Sequence, residues 1–411
     1  MNRFDTVLHT TPTVTPLPDF APRSRTDGEN EWAHIQAITY EGVPYGGQKT
    51  KIFAYIGFPQ NATEQPVPAM VLVHGGDGHA FAEWVKLWND RGYAAIAMDN
   101  TGFFPSEEGK GFAGYELDAK TWWHHGLWGD LAQEGYTGIP TNDEMTSCEK
   151  PLSEQWMYHA VASTILAHNI LLADKRVDKD RIGITGISWG GVITSLAIGY
   201  DTRYAFAIPV YGSGYLEQSH GWMKNCFYHE LTQKNWSAAH RFDRVKIPVF
   251  WVCFTDDTPF SVNSNSRSYD DTKEAGALLL MRQNMGHSHY YGWAPPEIIR
   301  FADSMVKGDP AFTRCVTEPV GRQFSFAIQP APDATAVTAR AAYITAPLSY
   351  SIKEEGAGLT IDQTWEFLPC EVCGDTVQGT LPDKAVCYYV ELSTETPRGT
   401  LLTTTRFVQE I

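Results

Sequence analysis

The sequence predicts an α/β fold, a mostly parallel sheet flanked by helices, followed by a small all-β domain. Three observations predict it. Short continuous apolar runs such as PAMVLVHGG, YAAIAMD and RIGITGI read as strands buried on both faces. Segments of helical periodicity, AFAEWVKLWNDRG and SEQWMYHAVASTILAHNILLAD, separate them. From about residue 320 the helical signal gives way to short β-rich runs divided by Pro and Gly, among them FSFAIQP, TARAAYITAP and AVCYYVELST.

Taken in order, residues 1–28 are rich in Pro and Thr and read as an irregular lead-in. Runs around EWAHIQAITYEG and TKIFAYIGFP suggest an antiparallel start to the sheet. The strand ending at Val73 leads into a helix with Phe81, Trp84, Val85 and Trp88 on one side and Gly92 as its C-cap. Residues 101–150 interrupt the rhythm with a long polar and aromatic insert, a length that usually signals either function or disorder. Strands follow at RIGITGI, YAFAIPVYG, VKIPVFWVCF and GALLLMRQN, and PPEIIRFADSMVK closes the series as a helix with Pro in its first turn. The expected division is an α/β domain over 29–310 and a β-sandwich-like domain over 315–411.

Composition narrows the partners. With 411 residues, 43% of them hydrophobic, the chain can bury a large core. A formal charge of −16 argues against nucleic acid or an anionic membrane as partner, since both call for a basic surface. The seven cysteines show no disulfide rhythm, and MNRFDTVLHTTPTVTPLPDF lacks the apolar core of a signal peptide. A cytoplasmic location is expected, or secretion where a leader has been removed. Nothing in the composition opposes a homo-oligomer. Cys370 and Cys373 form a lone C-x-x-C with no fourth ligand in the segment for zinc, so the thiols read as structural.

The chemistry centres on Gly186-Ile187-Ser188-Trp189-Gly190, which fits G-x-S-x-G after a β-branched strand and before the helical run VITSLAIGY. A tight strand-to-helix turn projects the serine hydroxyl, and small residues on either side let strand and helix pass closely. A serine needs a base, and the base an orienting acid. Asp256 and Asp257 follow one later strand, and His287 and His289 follow the next, in the order Ser, acid, His. The residues alone leave both pairs open. His74-Gly75-Gly76-Asp77-Gly78, after a buried strand, suits an oxyanion loop, with the N–H of Trp189 as the second donor. His74 precedes the serine and reads as structural. In the insert, Trp122, Trp123, His124, His125 and Trp128, with Trp156 at the start of the next helix, suit either a cleft roof that binds an apolar or sugar face or a small satellite core under the long loop. His289 is a further candidate cleft residue.

Four segments carry a family resemblance: PAMVLVHGGDGHAFAEWVKLWNDRGYAAIAMD, RIGITGISWGG, FTDDTPFSVNS and NMGHSHYYGWAPPEI. Together, over roughly residues 35–307, they resemble α/β-hydrolases of the acetylxylan esterase-like and dienelactone hydrolase-like groups. The resemblance implies the α/β-hydrolase fold and a serine esterase. Acid loops in these groups resemble T-N-D, which aligns Asp257 with the acid, and the Gly286-His287 step aligns His287 with the base. Dienelactone hydrolases proper use Cys, so Ser188 points away from that activity. The expectation is hydrolysis of small acyl esters, acetyl above all, on a carbohydrate or small molecule, with no metal or organic cofactor. Two alternatives remain. One is a serine peptidase of the prolyl oligopeptidase type, with Glu107, Glu108 and Asp118 anchoring a peptide terminus. The other is a non-enzymatic protein that binds a glycan or a partner through the β domain.

Overall fold

The computed structural model describes residues 2–22, 32, 34–106, 123–127, 134–352 and 359–409. Its contacts separate two units, Met1–Gly212 with Cys226–Val245, and Ser213–Asn225 with Lys246–Ile411.

The first unit contains α1 (Asp5–Leu8), β1 (Val14–Pro16), β2 (Ile35–Glu41), β3 (Lys49–Gly57), β4 (Val67–Val73), α2 (Ala82–Asn89) and β5 (Ala94–Met98). The insert contributes β6 (Phe103–Pro105), β7 (Trp123–His125) and β8 (Tyr136–Thr137). Then come α3 (Trp156–Ala173), β9 (Val177–Ile187), α4 (Trp189–Tyr200), β10 (Phe206–Val210) and α5 (Glu230–Trp236). The sheet order is β1-β2-β3-β5-β4-β9-β10. β4 pairs in parallel with β5 and β9, and β9 with β10, while β1, β2 and β3 make the antiparallel start. Every residue of β4, β5 and β10 is buried, which is what continuous apolar runs require of strands covered on both faces. Among the described residues of the insert, β6 and β7 form an antiparallel pair and β8 pairs with β3.

Part of the Pro/Thr-rich lead-in is ordered. Val14–Pro16 pairs with Ile38–Tyr40 of β2. Phe4 is fully buried, stacked on Tyr158 and edge-on to Tyr200. The Asn169 side-chain amide donates to the carbonyls of Val7 (2.8 Å) and Thr10 (2.7 Å), tying the chain just after α1 to α3. A composition-based reading misses this because the anchors lie on helices far along the chain.

The second unit contains β11 (Phe250–Phe254), α6 (Val262–Thr272), β12 (Leu278–Arg282), α7 (His289–Trp293) and α8 (Pro296–Val306). After them come β13 (Arg314–Cys315), β14 (Gln323–Gln329), β15 (Ala336–Ile344), β16 (Tyr350–Ile352), β17 (Leu359–Ile361), β18 (Glu366–Cys373), β19 (Thr376–Thr380), β20 (Cys387–Thr396) and β21 (Gly399–Thr404). β11 and β12 are parallel neighbours. Among the described residues seven of these C-terminal strands form one antiparallel sheet, β13-β14-β19-β18-β15-β20-β21, while β16 and β17 pair separately. Its core packs Phe324, Phe326, Val377, Tyr388, Val390 and Leu392. This sheet is fastened to β12 and α8. Met281 N–H donates to Thr404 Oγ1 at 3.2 Å, and Leu402 N–H donates to the buried Glu297 at 3.1 Å. The other oxygen of Glu297 accepts from Arg282 at 2.7 Å. All seven cysteines are free thiols. Among the described residues no helix is long and apolar enough to cross a membrane.

A buried ionic knot ties α3 to the C-terminal end of α4. Asp201 accepts from Arg203 Nε and Nη2, both at 2.7 Å, and from His168 Nδ1 at 2.8 Å. Burial pushes the Asp201 carboxyl up, but the hydrogen bonds from Arg203 and His168 outweigh it and hold the group well below the usual carboxylate range. Burial lowers the His168 pKa, so His168 enters as a neutral donor. Asp201→Ala removes the acceptor of the buried His168 Nδ1 and of Arg203 Nε, and is expected to lower unfolding free energy by about 2 kcal/mol in urea titrations; a loss below about 1 kcal/mol would contradict this role.

Two further imidazoles set an acid limit. Burial lowers both His79 and His159 to about 4. The unfolded chain binds these protons near pH 6.5 and the folded chain only near 4. Stability is therefore full above 6.5 and is lost as pH falls toward 4, by roughly 3 kcal/mol for each group. Melting curves from pH 7 to 4 should show this fall, and His159→Gln should flatten it; an unchanged slope in the variant would refute the assignment.

Candidate active site

Ser188 stands between β9 and α4 as the N-cap of the helix, with φ 59° and ψ −122°. A serine there is strained, and the surroundings hold it. Its N–H donates to the Val210 carbonyl at the end of β10 (2.8 Å), and its own carbonyl accepts the Val192 N–H (3.1 Å). The glycines of the motif are dictated by contact. A β-carbon on Gly186 would lie 2.2 Å from the Gly190 carbonyl oxygen, and one on Gly190 would lie 2.0 Å from that of Val73. No side chain fits either place, so α4 crosses the ends of β4 and β9 in backbone contact. Such strain clusters at functional sites.

The His74–Gly78 loop follows β4 in the same unit. The Nδ1 of His74 bonds the Gly75 carbonyl (2.8 Å), its Nε2 accepts the Asn100 N–H (3.0 Å), and its carbonyl accepts from the Asn100 side chain (2.8 Å). Both ring nitrogens of this buried imidazole are thus engaged in shaping the loop. Gly76 lies against Trp189, where an added β-carbon would stand 3.1 Å from the indole Cδ1. The Gly76 backbone thus packs against the indole of Trp189, the residue that follows Ser188. Asp77 turns the loop at φ 55°.

Trp156 does not line a surface. It is 1% exposed, its Nε1 donates to the Asn100 carbonyl at 2.7 Å, and its ring stands edge-on to Trp189 at 5.2 Å. It supports the turn from beneath. Trp123 falls in β7, and Trp128 lies outside the described residues, as do Trp122, Glu107, Glu108 and Asp118.

In the second unit, Asp257 follows β11 and His287 follows β12. His287 Nδ1 bonds Asp257 Oδ2 at 2.7 Å, and the Asp257 carboxylate is fully buried. A carboxylate only accepts, so Nδ1 carries a proton, and in the neutral imidazole Nε2 is the accepting nitrogen. The other oxygen, Oδ1, accepts the Phe260 N–H at 3.2 Å, and the Phe260 ring stacks on the His287 imidazole at 5.7 Å and 10°. Phe260 thus fixes acid and base together, a role its place in the loop did not signal. Gly286, at φ 74°, gives the turn that presents His287. Asp256 points elsewhere, its Oδ1 accepting from Trp365 Nε1 at 3.2 Å. His289 begins α7, after Ser288, whose hydroxyl caps the helix by accepting the Tyr291 N–H at 3.1 Å.

The acetyl xylan esterase (AXE1) family model matches residues 5–217, just over half of the chain, and the prolyl oligopeptidase family model matches residues 149–304. The structure of acetyl xylan esterase 1 from Thermoanaerobacterium sp. JW/SL YS485 is 14% identical, with a TM-score of 0.50 over 74% of this chain and 92% of its own. An acetyl xylan esterase from Paenibacillus sp. R4 is 17% identical, with a TM-score of 0.46 over 72% and 89%. A puromycin-hydrolysing peptidase of Mycobacterium tuberculosis is 16% identical, with a TM-score of 0.47 over 69% and 41%. No curated protein sequence matches the chain. The fold is that of the α/β-hydrolases.

Proposed function

The chain belongs to the acetyl xylan esterase (AXE1) family, and from that premise we propose that it is a serine carboxylic-ester hydrolase removing small acyl groups, acetate foremost, from carbohydrate. The observation that carries the reading is Ser188 held at φ 59° between a buried strand and a helix, in a chain whose buried Asp257 fixes His287 with Nε2 able to accept.

In this reading Nε2 of His287 takes the hydroxyl proton as Ser188 Oγ attacks the ester carbonyl carbon. Asp257 holds the imidazole in the required tautomer and stabilises its protonated form. The N–H groups of Gly76 and Trp189 receive the oxyanion, the latter from the positive end of α4. Collapse of the tetrahedral species expels the alcohol, which takes its proton from His287, and leaves an acyl ester on Ser188. Water then attacks that ester, again with His287 as base, and the carboxylic acid departs. No metal or organic cofactor enters. For the carbohydrate, the proposed contacts are Trp123, Trp128 and His289, with Trp156 acting through Trp189. A peptidase is the second reading, favoured by the prolyl oligopeptidase match over residues 149–304.

Hydrolysis of p-nitrophenyl esters from acetate to octanoate tests the proposal. Acetate should be preferred, and Ser188→Ala, His287→Ala and Asp257→Asn should each lower kcat/KM by about 10⁴-fold. Acetate release from acetylated xylo-oligosaccharides should follow the same variants. A wild type inactive on every ester but active on dipeptide p-nitroanilides would overturn the esterase in favour of the peptidase.

A further inference from the structure

Two aromatic residues of the C-terminal β region, Trp365 and Tyr389, reach the loops that carry the acid and the base. Trp365, just before β18, donates its indole N–H to Asp256 Oδ1 at 3.2 Å, one residue from Asp257. Tyr389, in β20, accepts from Gln283 Nε2 through its hydroxyl at 3.0 Å, four residues before His287. The two rings pack edge to face at 5.2 Å and 72°, and Phe407 closes the other side of Trp365 at 6.1 Å. Trp365 is 8% exposed and Tyr389 fully buried. The strands beneath are in register: Tyr389 pairs with Ala342 of β15, whose other neighbour is Phe367 of β18.

We propose that Trp365 and Tyr389 are positioning residues, through which the C-terminal sheet sets the alignment of the Asp257–His287 pair. The inference rests on the reading of that pair as the acid and base of an esterase. It gives Asp256 a role different from its neighbour's: its carboxylate is the handle by which the acid loop is held. It also gives the β domain a task in the reaction without any contact to substrate. Misplacing a catalytic group by a fraction of an ångström lowers the rate of the chemical step and leaves ground-state binding largely intact. A residue that serves only to keep the chain folded has no such selective effect.

The test uses the full chain and p-nitrophenyl acetate. Trp365→Phe keeps the ring packing and removes the N–H; Asp256→Ala removes the acceptor; Tyr389→Phe removes the hydroxyl. Each should lower kcat about tenfold with KM within about twofold, and with melting temperature within about 3 °C of wild type. Trp365→Phe combined with Asp256→Ala should cost no more than either alone, since both delete the same hydrogen bond. Asp256→Asn, which keeps an acceptor oxygen, should recover most of the loss seen in Asp256→Ala. Wild-type kcat in both Trp365→Phe and Asp256→Ala would overturn the inference, as would full additivity of the two. Should Trp365→Phe fail to fold, Asp256→Ala and its Asn counterpart decide the matter alone. A wild type without Ser188-dependent esterase activity would instead mark failure of the functional reading.

Discussion

The approach of α4 to the ends of β4 and β9 is closer than any side chain allows. Gly190 lies against the Val73 carbonyl and Gly186 against the Gly190 carbonyl, each at a distance that a β-carbon would violate. Because helix and strands meet backbone to backbone, the residue at the turn has no relaxed conformation available. Ser188 takes up positive φ, and its neighbours in β10 and α4 hold it there. Strain of this kind costs of order 1–3 kcal/mol. It is sustained by what surrounds it: strands buried throughout and a helix, α3, buried on nearly all sides. The Asp201 knot fixes the far end of α4, so the helix is held at both termini.

The second unit solves a different problem. An imidazole on a loop has many orientations, and only one serves a base. Here three restraints act on it: the Asp257 carboxylate at Nδ1, the Phe260 ring against its face, and the positive-φ turn at Gly286 before it. Asp257 is itself held by the Phe260 N–H. The buried Asp257 and the half-exposed His287 side chain thus differ in setting as their proposed roles differ.

Much of this was legible in the sequence, because close backbone approach demands glycine and buried parallel strands demand continuous apolar runs. GISWGG and HGGDG announced their loops by composition, and the strand ends pointed to the aspartate and histidine pairs. Choosing between Asp256 and Asp257 lay beyond residue reading. The partner that occupies Asp256, Trp365, is 109 positions away and carries no local mark. Trp156 was open for a related reason: an indole at the start of a helix looks the same in sequence whether it faces a cleft or, as here, is buried with its N–H on the Asn100 carbonyl. The ordering of Phe4 and of the α1 carbonyls likewise depends on Tyr158, Tyr200 and Asn169, contacts that no short window contains.

The central claim is that Ser188 is a nucleophile activated by His287. Intact-mass spectrometry after treatment with an alkyl fluorophosphonate tests it most directly, since the reagent phosphonylates an activated serine and releases fluoride. One adduct per chain, mapped by peptide digestion to Ser188 and formed at least about 100-fold more slowly in His287→Ala, is the predicted result. An adduct elsewhere, no adduct, or an equal rate in His287→Ala would contradict the account.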